Sequence, residues 1–294
     1  MKRVIVTGAA GFAGANLCIE LNKSNIEVLA IVRENSTHND RLKNLENVTM
    51  INCDMDNYEM LPEKITGSCD TFFHLAWKGD RDNAEVEYPN VFHTVKAVEA
   101  AAKLGCKRFV ATGSQAEYGA INRVQTEDMC PAPINAYGAA KAAALYMSKR
   151  RCEQLEIDWI WGRIFSLYGL YEPGGRLVTD LANALLSGKG MKVSAATQNW
   201  DYLYSMDGAK ALIALAEKGR SGEIYNIANG DYKPLKVYLE EMKTILCKSA
   251  ELEYDMNNVP KVSLQPSIDK IYKDTGWKPE VTFEEGIRNT FLDR

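Results

Sequence analysis

The chain has 294 residues, of which 46% are hydrophobic and 25% charged, and its formal net charge is −4 at pH 7. Such a composition is typical of a globular protein with a sizeable core, and the slightly acidic balance excludes the basic footprint that nucleic acid or an anionic membrane surface requires. No apolar run approaches the ~20 residues of a membrane span. We therefore expect neither a nucleic-acid nor a membrane partner.

Cysteine and histidine usage indicates neither a disulfide framework nor a metal site. The seven cysteines are scattered and never form Cys-x-x-Cys, and the three histidines lack metal-ligand spacing. A first strand that starts at residue 3 leaves no room for a signal peptide. We therefore expect reduced thiols, no bound metal and a cytoplasmic location.

The N-terminal stretch predicts a nucleotide-binding turn. A β-branched run at 4–6 is typical of a buried strand, and residues 12–23 have the apolar spacing of a helix. The glycines between them have the spacing G-x-x-G-x-x-G, which brings backbone N–H groups and a helix N-terminus to a pyrophosphate. The alternative is a plain tight turn between a strand and a helix. The cofactor contacts predicted at this turn are Gly8, Gly11, Phe12, Ala13 and Gly14.

Strands and helices continue to alternate, as they do in a doubly wound parallel sheet. Further strands are predicted at 27–32, 48–52, 70–75, 108–112, 158–163 and 223–227, with long helices at 90–104 and 136–155. After residue 168 turns multiply and the alternation weakens. The predicted fold is therefore α/β. A Rossmann-type doubly wound parallel sheet spans residues 1–168 and regains segments of about 201–228, and a small mixed C-terminal substrate lobe spans about 169–200 and 229–294.

The residue that ends the second predicted strand bears on the choice of cofactor. An acidic side chain at this position binds the ribose 2′-hydroxyl of NAD, whereas a basic one suits the 2′-phosphate of NADP. Arg33 therefore favours NADP(H), with NAD(H) as the alternative, although an arginine beside Glu34 also fits a solvated surface. Asp54 and Met55 follow the third strand, where Asp54 either accepts from the adenine amino group or belongs to a turn.

A tyrosine and a lysine at the start of the alanine-rich helix predict proton transfer. Tyr137 and Lys141 are four residues apart and share one helix face. A phenol with a pKa of about 10 is a poor acid, but a nearby ammonium and an oxidised nicotinamide favour the phenolate, so the tyrosine exchanges the proton that accompanies hydride transfer. Tyr-x-x-x-Lys alone also fits a surface pair. Ser114, just past the fifth predicted strand, would meet Tyr137 over the crevice and hold the carbonyl oxygen.

Taken together, these motifs resemble the extended short-chain dehydrogenase/reductase family, in particular its NDP-sugar epimerases, dehydratases and 4-ketoreductases. The resemblance covers nearly the whole chain. It is carried by Gly8/Gly11/Gly14, His74-Leu75-Ala76, Asn90, the segment 112–119, Tyr137/Lys141, the segment 163–169, the segment 201–207, Tyr225-Asn226 and the segment 276–279.

The resemblance implies roles for individual residues. Ser114, Tyr137 and Lys141 would form the catalytic triad, and Phe165 and Ser166 would contact the sugar. It also implies a homodimer through the helices around 90–104 and 136–155. Trp77 either packs or touches cofactor or substrate. The further cofactor contacts implied are Leu75, Ala76, Trp77, Asn90, Thr112, Tyr137, Lys141 and Ile164.

Departures from the family pattern narrow the reaction. The 4,6-dehydratases carry an Asp-Glu pair directly after the serine or threonine, and this chain has Gln115 and Ala116 there, so dehydration is not expected. Gln115 remains a candidate substrate contact. Glu117 is an acid one place too late. A 4-epimerase must hold NAD tightly and return the hydride it removed. Arg33, which favours NADP(H), argues mildly against this reaction.

Two further departures concern the substrate diphosphate. Trp200 stands where many relatives have an arginine that grips the diphosphate, and Ser166 stands where many have asparagine. A diphosphate still requires cationic or N–H partners, for which Arg176 and Lys261 are candidates. Trp200 either stacks on a base or sugar or belongs to the core.

Three functions therefore remain. The favoured one is the reduction of an NDP-4-keto-6-deoxyhexose at C4 by NADPH, with Tyr137 as proton donor. The alternatives are an NDP-sugar 4-epimerase with tightly bound NAD and a non-catalytic cofactor-sensing protein on a Rossmann fold. Sensing proteins of that kind typically lose the tyrosine or the lysine, and this chain keeps both.

Overall fold

A parallel sheet runs through the centre of the protein in the computed structural model, which describes residues 1–80 and 82–293. The strands are β1 (Arg3–Thr7), β2 (Glu27–Val32), β3 (Val48–Asn52), β4 (Thr71–His74), β5 (Arg108–Ser114), β6 (Asp158–Ile164), β7 (Ser166–Tyr168), β8 (Met191–Ser194), β9 (Asn199–Trp200), β10 (Tyr202–Tyr204), β11 (Glu223–Ile227), β12 (Lys233–Pro234) and β13 (Leu252–Asp255). Seven of them form the central sheet in the order β11-β6-β5-β4-β1-β2-β3.

Helices connect these strands. They are α1 (Phe12–Lys23), α2 (Leu61–Lys64), α3 (Ala84–Glu87), α4 (Pro89–Lys103), α5 (Ala136–Gln154), α6 (Leu177–Leu186), α7 (Ser205–Lys218), α8 (Leu235–Leu246), α9 (Asp269–Thr275) and α10 (Phe283–Phe291). Short 3₁₀ turns lie at Thr37–Leu42, Met55–Met60 and Gln115–Tyr118. Within the described ranges, no helix has the length and apolar character needed to cross a membrane.

The order of the strands places a ligand crevice at one point of the sheet. The chain winds outward from β1 through β2 to β3, then returns to β4 on the other side of β1 and continues to β11. All neighbouring strands of this sheet are parallel. Because the direction of winding reverses between β1 and β4, the loops that follow these two strands separate and leave a crevice at their carboxyl ends. The predicted α/β class with a Rossmann-type doubly wound sheet is confirmed.

Helices cover both faces of the sheet, as its continuous hydrophobic strands require. Helices α1 and α7 pack together on one face, over a core that includes Val4, Val6 and Leu17. Helices α4 and α5 pack on the opposite face, over Ile5, Phe72 and other buried side chains. Trp159 and Trp161 stack on each other in this second core, with ring centres 6.0 Å apart, and both are buried.

The C-terminal part adds three two-stranded sheets, β7 with β10, β9 with β12, and β8 with β13. They surround a separate core that is rich in aromatic side chains, among them Tyr168, Tyr202 and Tyr238. Short strands with many turns agree with the weakened alternation of the sequence after residue 168. The division of the chain into a sheet core and a substrate lobe stays a prediction.

Most predicted bounds agree with the structure, and the fifth strand shows the clearest difference. Helix α1 and strands β2, β3 and β11 have their predicted bounds, and α4 begins one residue early, at a proline in the first helical position. Strand β4 is one residue shorter than predicted at each end, and β5 continues through Gly113 to Ser114. A glycine is required there because a Cβ on Gly113 would lie 2.0 Å from Trp161 Nε1. Ser114 is therefore the last residue of β5 and does not lie beyond it.

The cysteines are all free. Five are buried, and burial raises the pKa of the Cys18, Cys106 and Cys152 thiols to about 12. A thiol with so high a pKa is a poor nucleophile at neutral pH. These side chains therefore act as small apolar core residues.

Candidate active site

The glycine turn after β1 forms a backbone cradle. Gly8 has a φ of +67°, and Gly11 N donates to Gly8 O over 2.9 Å. A Cβ on Gly14 would lie 2.1 Å from that same carbonyl oxygen, so the first turn of α1 packs directly on the loop. No side chain caps α1 at Gly11. The N–H groups of its first turn are thus left for a ligand, and a dinucleotide diphosphate fits this cradle. Phe12 and Ala13 are the first two residues of the helix.

A cleft of about 710 Å³ extends from this turn across the carboxyl end of the sheet. It adjoins a second cavity of about 800 Å³, and Arg33 and Asp54 line both. The size of the cleft suits a bound nucleotide. The structure thus brings together nine of the predicted cofactor residues along its wall, namely Gly8, Gly11, Arg33, Asp54, Met55, Leu75, Ala76, Trp77 and Asn90.

Arg33 is exposed at the end of β2, on the wall that the two cavities share. Lys64 and His38 line the second cavity with it, and Glu34 is the acidic neighbour. The end of β2 therefore presents a guanidinium, and no carboxylate stands at position 33 itself. Asp54 has an exposed side chain and begins the turn Met55–Met60 without capping it.

Asn90 contributes to the cleft through the loop that follows β4. Its side-chain oxygen accepts from Lys78 N over 2.9 Å, and its amide donates to the carbonyls of Lys78 and two residues of α3. The buried amide therefore fixes the loop whose first residues line the cleft. A direct contact of Asn90 with the cofactor stays a prediction.

Lys141 is buried against Trp77, one of the residues that line the cleft. Its Nζ donates to the carbonyl oxygen of Thr112 over 2.8 Å, and it lies 3.7 Å from the centre of the Trp77 ring. Burial lowers the pKa of Lys141 to about 7, with the charges of Glu117 and Glu87 acting in the opposite direction. Thr112 thus meets the site through its backbone, while its hydroxyl donates to the carbonyl of His74 over 3.4 Å.

Tyr137 lies close to Ser114, and their joint role in catalysis stays a prediction. Helix α5 approaches the turn Gln115–Tyr118 closely, since a Cβ on Gly138 would lie 2.4 Å from Ala116 O. Burial raises the pKa of Tyr137, and a side-chain hydrogen bond with Ser114 acts against this. The phenol is therefore neutral in the free protein and holds the proton that an acid must donate. Ser114 Oγ also accepts from Ala116 N over 3.2 Å.

Glu117 does not face the reaction crevice as an acid. Its Oε1 accepts from Ser114 N over 2.8 Å and from Trp161 Nε1 over 3.0 Å, and its Oε2 accepts from Arg163 Nε over 2.7 Å. Both carboxylate oxygens are thus bonded inside the protein. Glu117 is a structural anchor for Ser114.

The predicted substrate residues are more dispersed. Ile164 and Ser166 are partly exposed at the end of β6 and the start of β7, and Phe165 between them is buried against Tyr118. Gln115 is partly exposed directly after Ser114.

Three of the residues predicted to contact the substrate lie in the C-terminal part. Arg176 is exposed at the start of α6, and its charge lowers the pKa of Tyr137. Trp200 packs between two apolar clusters, and its buried Nε1 has no partner among the described residues. Lys261 is exposed. Their contacts with a substrate remain predictions.

Sequence reasoning missed Glu87. This buried carboxylate accepts from Trp77 Nε1 over 2.7 Å and from Asp80 N over 2.8 Å. The bond joins α3 to the residue that covers Lys141. No spacing rule links positions 77 and 87, so the sequence carries no local signal for this pair.

Comparisons with known proteins agree with this geometry. The family model described as "NAD dependent epimerase/dehydratase family" matches residues 4–228. The human dTDP-D-glucose 4,6-dehydratase is 26% identical over 98% of this chain and 89% of its own length. A solved UDP-N-acetylglucosamine 4-epimerase from Methanobrevibacter ruminantium M1 is 26% identical over 99% of this chain and 97% of that chain, with a TM-score of 0.87.

A third comparison bears on the fold. A UDP-glucuronic acid 4-epimerase from Bacillus cereus, solved with UDP-glucuronic acid and NAD, is 22% identical over 98% of each chain, with a TM-score of 0.86. At this identity the likeness concerns the shared architecture alone. The two chains thus share one fold.

Proposed function

Because this chain belongs to the NAD dependent epimerase/dehydratase family, we propose that it is an oxidoreductase acting on a nucleotide-activated sugar. Its most specific form is the reduction of an NDP-4-keto-6-deoxyhexose at C4 with NADPH. The observation that carries this proposal is the group formed by Ser114, Tyr137 and Lys141 beside a nucleotide-sized cleft whose far wall bears Arg33.

The proposed roles follow from the protonation of these residues. A bound reduced nicotinamide supplies the hydride. Ser114 donates to the substrate carbonyl oxygen, and Tyr137, a neutral phenol, transfers its proton to that oxygen as the carbon receives the hydride. Lys141 lies one helical turn away and stabilises the resulting phenolate by its charge. The proton lost by Tyr137 is then replaced from solvent, which returns the site to its starting state.

Dehydration is disfavoured by the residues next to Ser114. Removal of water from the sugar requires an acid and a base at the reacting carbons. The two positions after Ser114 hold Gln115 and Ala116, and the carboxylate that follows them, Glu117, accepts three hydrogen bonds inside the protein.

Arg33 supports NADP(H) as the favoured cofactor, with NAD(H) as the alternative. A guanidinium forms bidentate bonds with a phosphate, and Arg33 stands where an NAD enzyme presents a carboxylate to the ribose. Lys64 lines the same cavity as a second cation, beside the carboxylates of Glu34 and Asp54. A reductase must exchange its oxidised cofactor at every turnover, and an exposed cavity permits this exchange.

A 4-epimerase is the second candidate. The observation in its favour is the likeness to the UDP-N-acetylglucosamine 4-epimerase, which extends over 99% of this chain. The same three catalytic residues suit both reactions, because an epimerase first removes and then returns the hydride at one carbon. The two functions differ in the cofactor that stays with the protein.

We also propose a homodimer through the helices around 90–104 and 136–155. Large apolar side chains are exposed along this surface, including Phe92 and Tyr146, which are 61% and 59% exposed. Tyr88 and Met147 add to the same surface at 66% and 54%. A contiguous group of exposed aromatic residues is typical of an interface between subunits. Size-exclusion chromatography with light scattering tests this assembly.

The nucleotide carried by the purified protein tests the choice between the two reactions. The protein is denatured and the released nucleotide identified, and stripped protein is titrated with NADPH and NADH. Exchangeable binding with NADPH preferred supports the reductase, and turnover of NDP-4-keto-6-deoxy sugars then follows. Tightly retained NAD(H) would contradict the reductase and support the 4-epimerase. A protein that binds neither cofactor contradicts both.

A further inference from the structure

The side chain of Trp77 covers the ammonium group of Lys141. The centre of its ring lies 3.7 Å from Nζ, and the ring meets that of Tyr137 edge-on with centres 6.0 Å apart at 89°. Nζ donates to one oxygen, that of Thr112, and its next neighbour is the π face of Trp77. A π face stabilises a cation without accepting its N–H groups as an oxygen does. The remaining N–H groups of Lys141 therefore stay available to a ligand.

A ring that covers a catalytic ammonium must be held in place. Trp77 is partly exposed and follows β4 in a loop that lines the cleft, so packing alone does not fix its orientation. Its Nε1 donates over 2.7 Å to Glu87, which is only 1% exposed. The other carboxylate oxygen of Glu87 accepts from Asp80 N over 2.8 Å, which fixes the carboxylate itself. Such charge-assisted bonds are about twice as strong as neutral ones.

We propose that Glu87 is a positioning residue that holds the Trp77 ring over Lys141 and thereby keeps the lysine oriented to bind the cofactor. The inference rests on the proposed function, because it assumes that Lys141 contacts the cofactor. The carboxylate of Glu87 has a second effect, because its negative charge favours the ammonium form of Lys141. Glu87 is bonded to Trp77 and Asp80, and it acts on Lys141 through the indole of Trp77.

The chain offers a test that separates an action through Trp77 from an action through the loop. Trp77→Phe retains an aromatic ring, although a smaller one, and removes the N–H that donates to Glu87. Glu87→Ala removes that acceptor and also the bond to Asp80 N. The two single variants and the double variant form a double-mutant cycle. Glu46→Ala, which removes an exposed carboxylate outside the site, is the control for the change of charge.

The dissociation constants of NADPH and NADH are measured without a sugar substrate. We expect each single variant to weaken cofactor binding about tenfold, the size of a cation–π contact in a desolvated site, and the double variant to weaken it no further. Glu46→Ala should bind as the unchanged protein does. Additive losses in the double variant, or unchanged binding in Glu87→Ala, would overturn the proposal.

Acrylamide quenching of tryptophan fluorescence provides a second readout, which needs no cofactor. Glu87→Ala should make one tryptophan more accessible to acrylamide, and Trp77→Phe should abolish this gain. Equal quenching with and without Glu87 contradicts the proposal. If the protein binds neither cofactor, the proposed function fails, whereas the quenching result still decides whether Glu87 positions Trp77. Glu87→Gln, which preserves the side-chain volume but offers one acceptor fewer, replaces the alanine variant if that variant does not fold.

Discussion

The carboxylate of Glu117 and the guanidinium of Arg163 form an ion pair with an Oε2–Nε distance of 2.7 Å, and both side chains are at most 1% exposed. The other carboxylate oxygen accepts from Ser114 N, so the ion pair joins β6 to Ser114 at the end of β5. The Arg163 guanidinium also lies 4.4 Å from the centre of the Tyr118 ring. A buried charge of this kind is costly unless every bond is made, which makes the pair a sensitive point of the fold.

Glu117→Gln should strongly destabilise the protein. The amide retains one oxygen for three donors and turns an N–H₂ group toward another donor, and Arg163 loses its counter-charge. We expect a loss of about 3–5 kcal/mol in the free energy of unfolding, the usual cost of breaking a buried pair from one side. Urea denaturation measures this difference.

Glu284→Gln is the matched control for that substitution. Glu284 pairs with Arg288 on the surface, where the side chains are 60% and 47% exposed. Removing one partner of an exposed pair changes stability by about 0–1 kcal/mol. Similar urea midpoints for both variants would contradict the role of Glu117 as an internal anchor.

Gly14→Ala should abolish cofactor binding and lower stability. The added methyl would lie 2.1 Å from the carbonyl oxygen of Gly8, a backbone atom that moves only if the turn itself moves. Gly174→Ala is the control, because a methyl there meets nothing within 4 Å. Titration of both variants with NADPH, with melting temperatures alongside, measures the two effects. Unchanged binding in Gly14→Ala would mean that the turn does not cradle the cofactor.

The sequence predicted the sheet well because its signals are local. The β-branched run before Gly8 and the apolar spacing of 12–23 depend on neighbouring residues, and parallel strands buried on both faces are continuously hydrophobic. The bounds of α1 and β2 agree with the structure for this reason. The predicted end of β5 was two residues too early, because a glycine in a sequence suggests that a strand ends there. In the structure Gly113 lies within the strand, and glycine is needed because Trp161 occupies the space that a side chain would fill.

The site was only partly predictable, because some of its bonds join distant segments. Tyr137 and Lys141 share a helix face that spacing alone shows, and Ser114 follows from its place at the end of a strand. The bond from Trp77 to Glu87 and the pair of Glu117 with Arg163 arise from the packing of loops and strands that no periodicity connects. The substrate contacts of the C-terminal residues Arg176 and Trp200 stay predictions, because these contacts depend on how a substrate binds to this part of the protein.

Tyr137→Phe should lower turnover about 10²–10⁴-fold, the usual contribution of a general acid. Cofactor affinity should change little, because the substitution removes only the hydroxyl that donates the proton. The measurements are kcat for the substrate identified by turnover and the dissociation constant of NADPH. Tyr272→Phe, which changes an exposed tyrosine of α9, is the control. Retention of most of the activity in Tyr137→Phe would show that another group supplies the proton.

Cofactor binding should take up a proton above pH 7. Burial lowers the pKa of Lys141 to about 7 in the free protein, so this lysine is mostly neutral at pH 8. The hydroxyl oxygens and the diphosphate of the bound cofactor favour the ammonium form of Lys141, so binding raises the pKa of this lysine. Affinity should therefore fall as the pH rises from 7, by up to about tenfold for each pH unit.

Calorimetry in two buffers with different ionisation enthalpies measures this proton uptake. Lys141→Met should remove both the uptake and the dependence of affinity on pH, because a methionine does not titrate. Binding of NADPH to the unchanged protein without any proton exchange between pH 7 and pH 9 would contradict a contact between Lys141 and the cofactor.

Arg33→Asp should reverse the preference between the two cofactors. Arg33 lies at the end of β2 on the wall of both cavities, where its guanidinium is free to form bidentate bonds with a 2′-phosphate. The aspartate repels that phosphate and accepts from the 2′-hydroxyl of NADH, so we expect NADPH to bind at least about tenfold more weakly and NADH to bind no more weakly than before. Arg123→Asp makes the same change of charge at an exposed position and controls for the overall potential. Titrations of both variants with both cofactors decide the matter. Equal losses for NADPH and NADH would place Arg33 outside the 2′-phosphate site and would favour the epimerase that retains NAD.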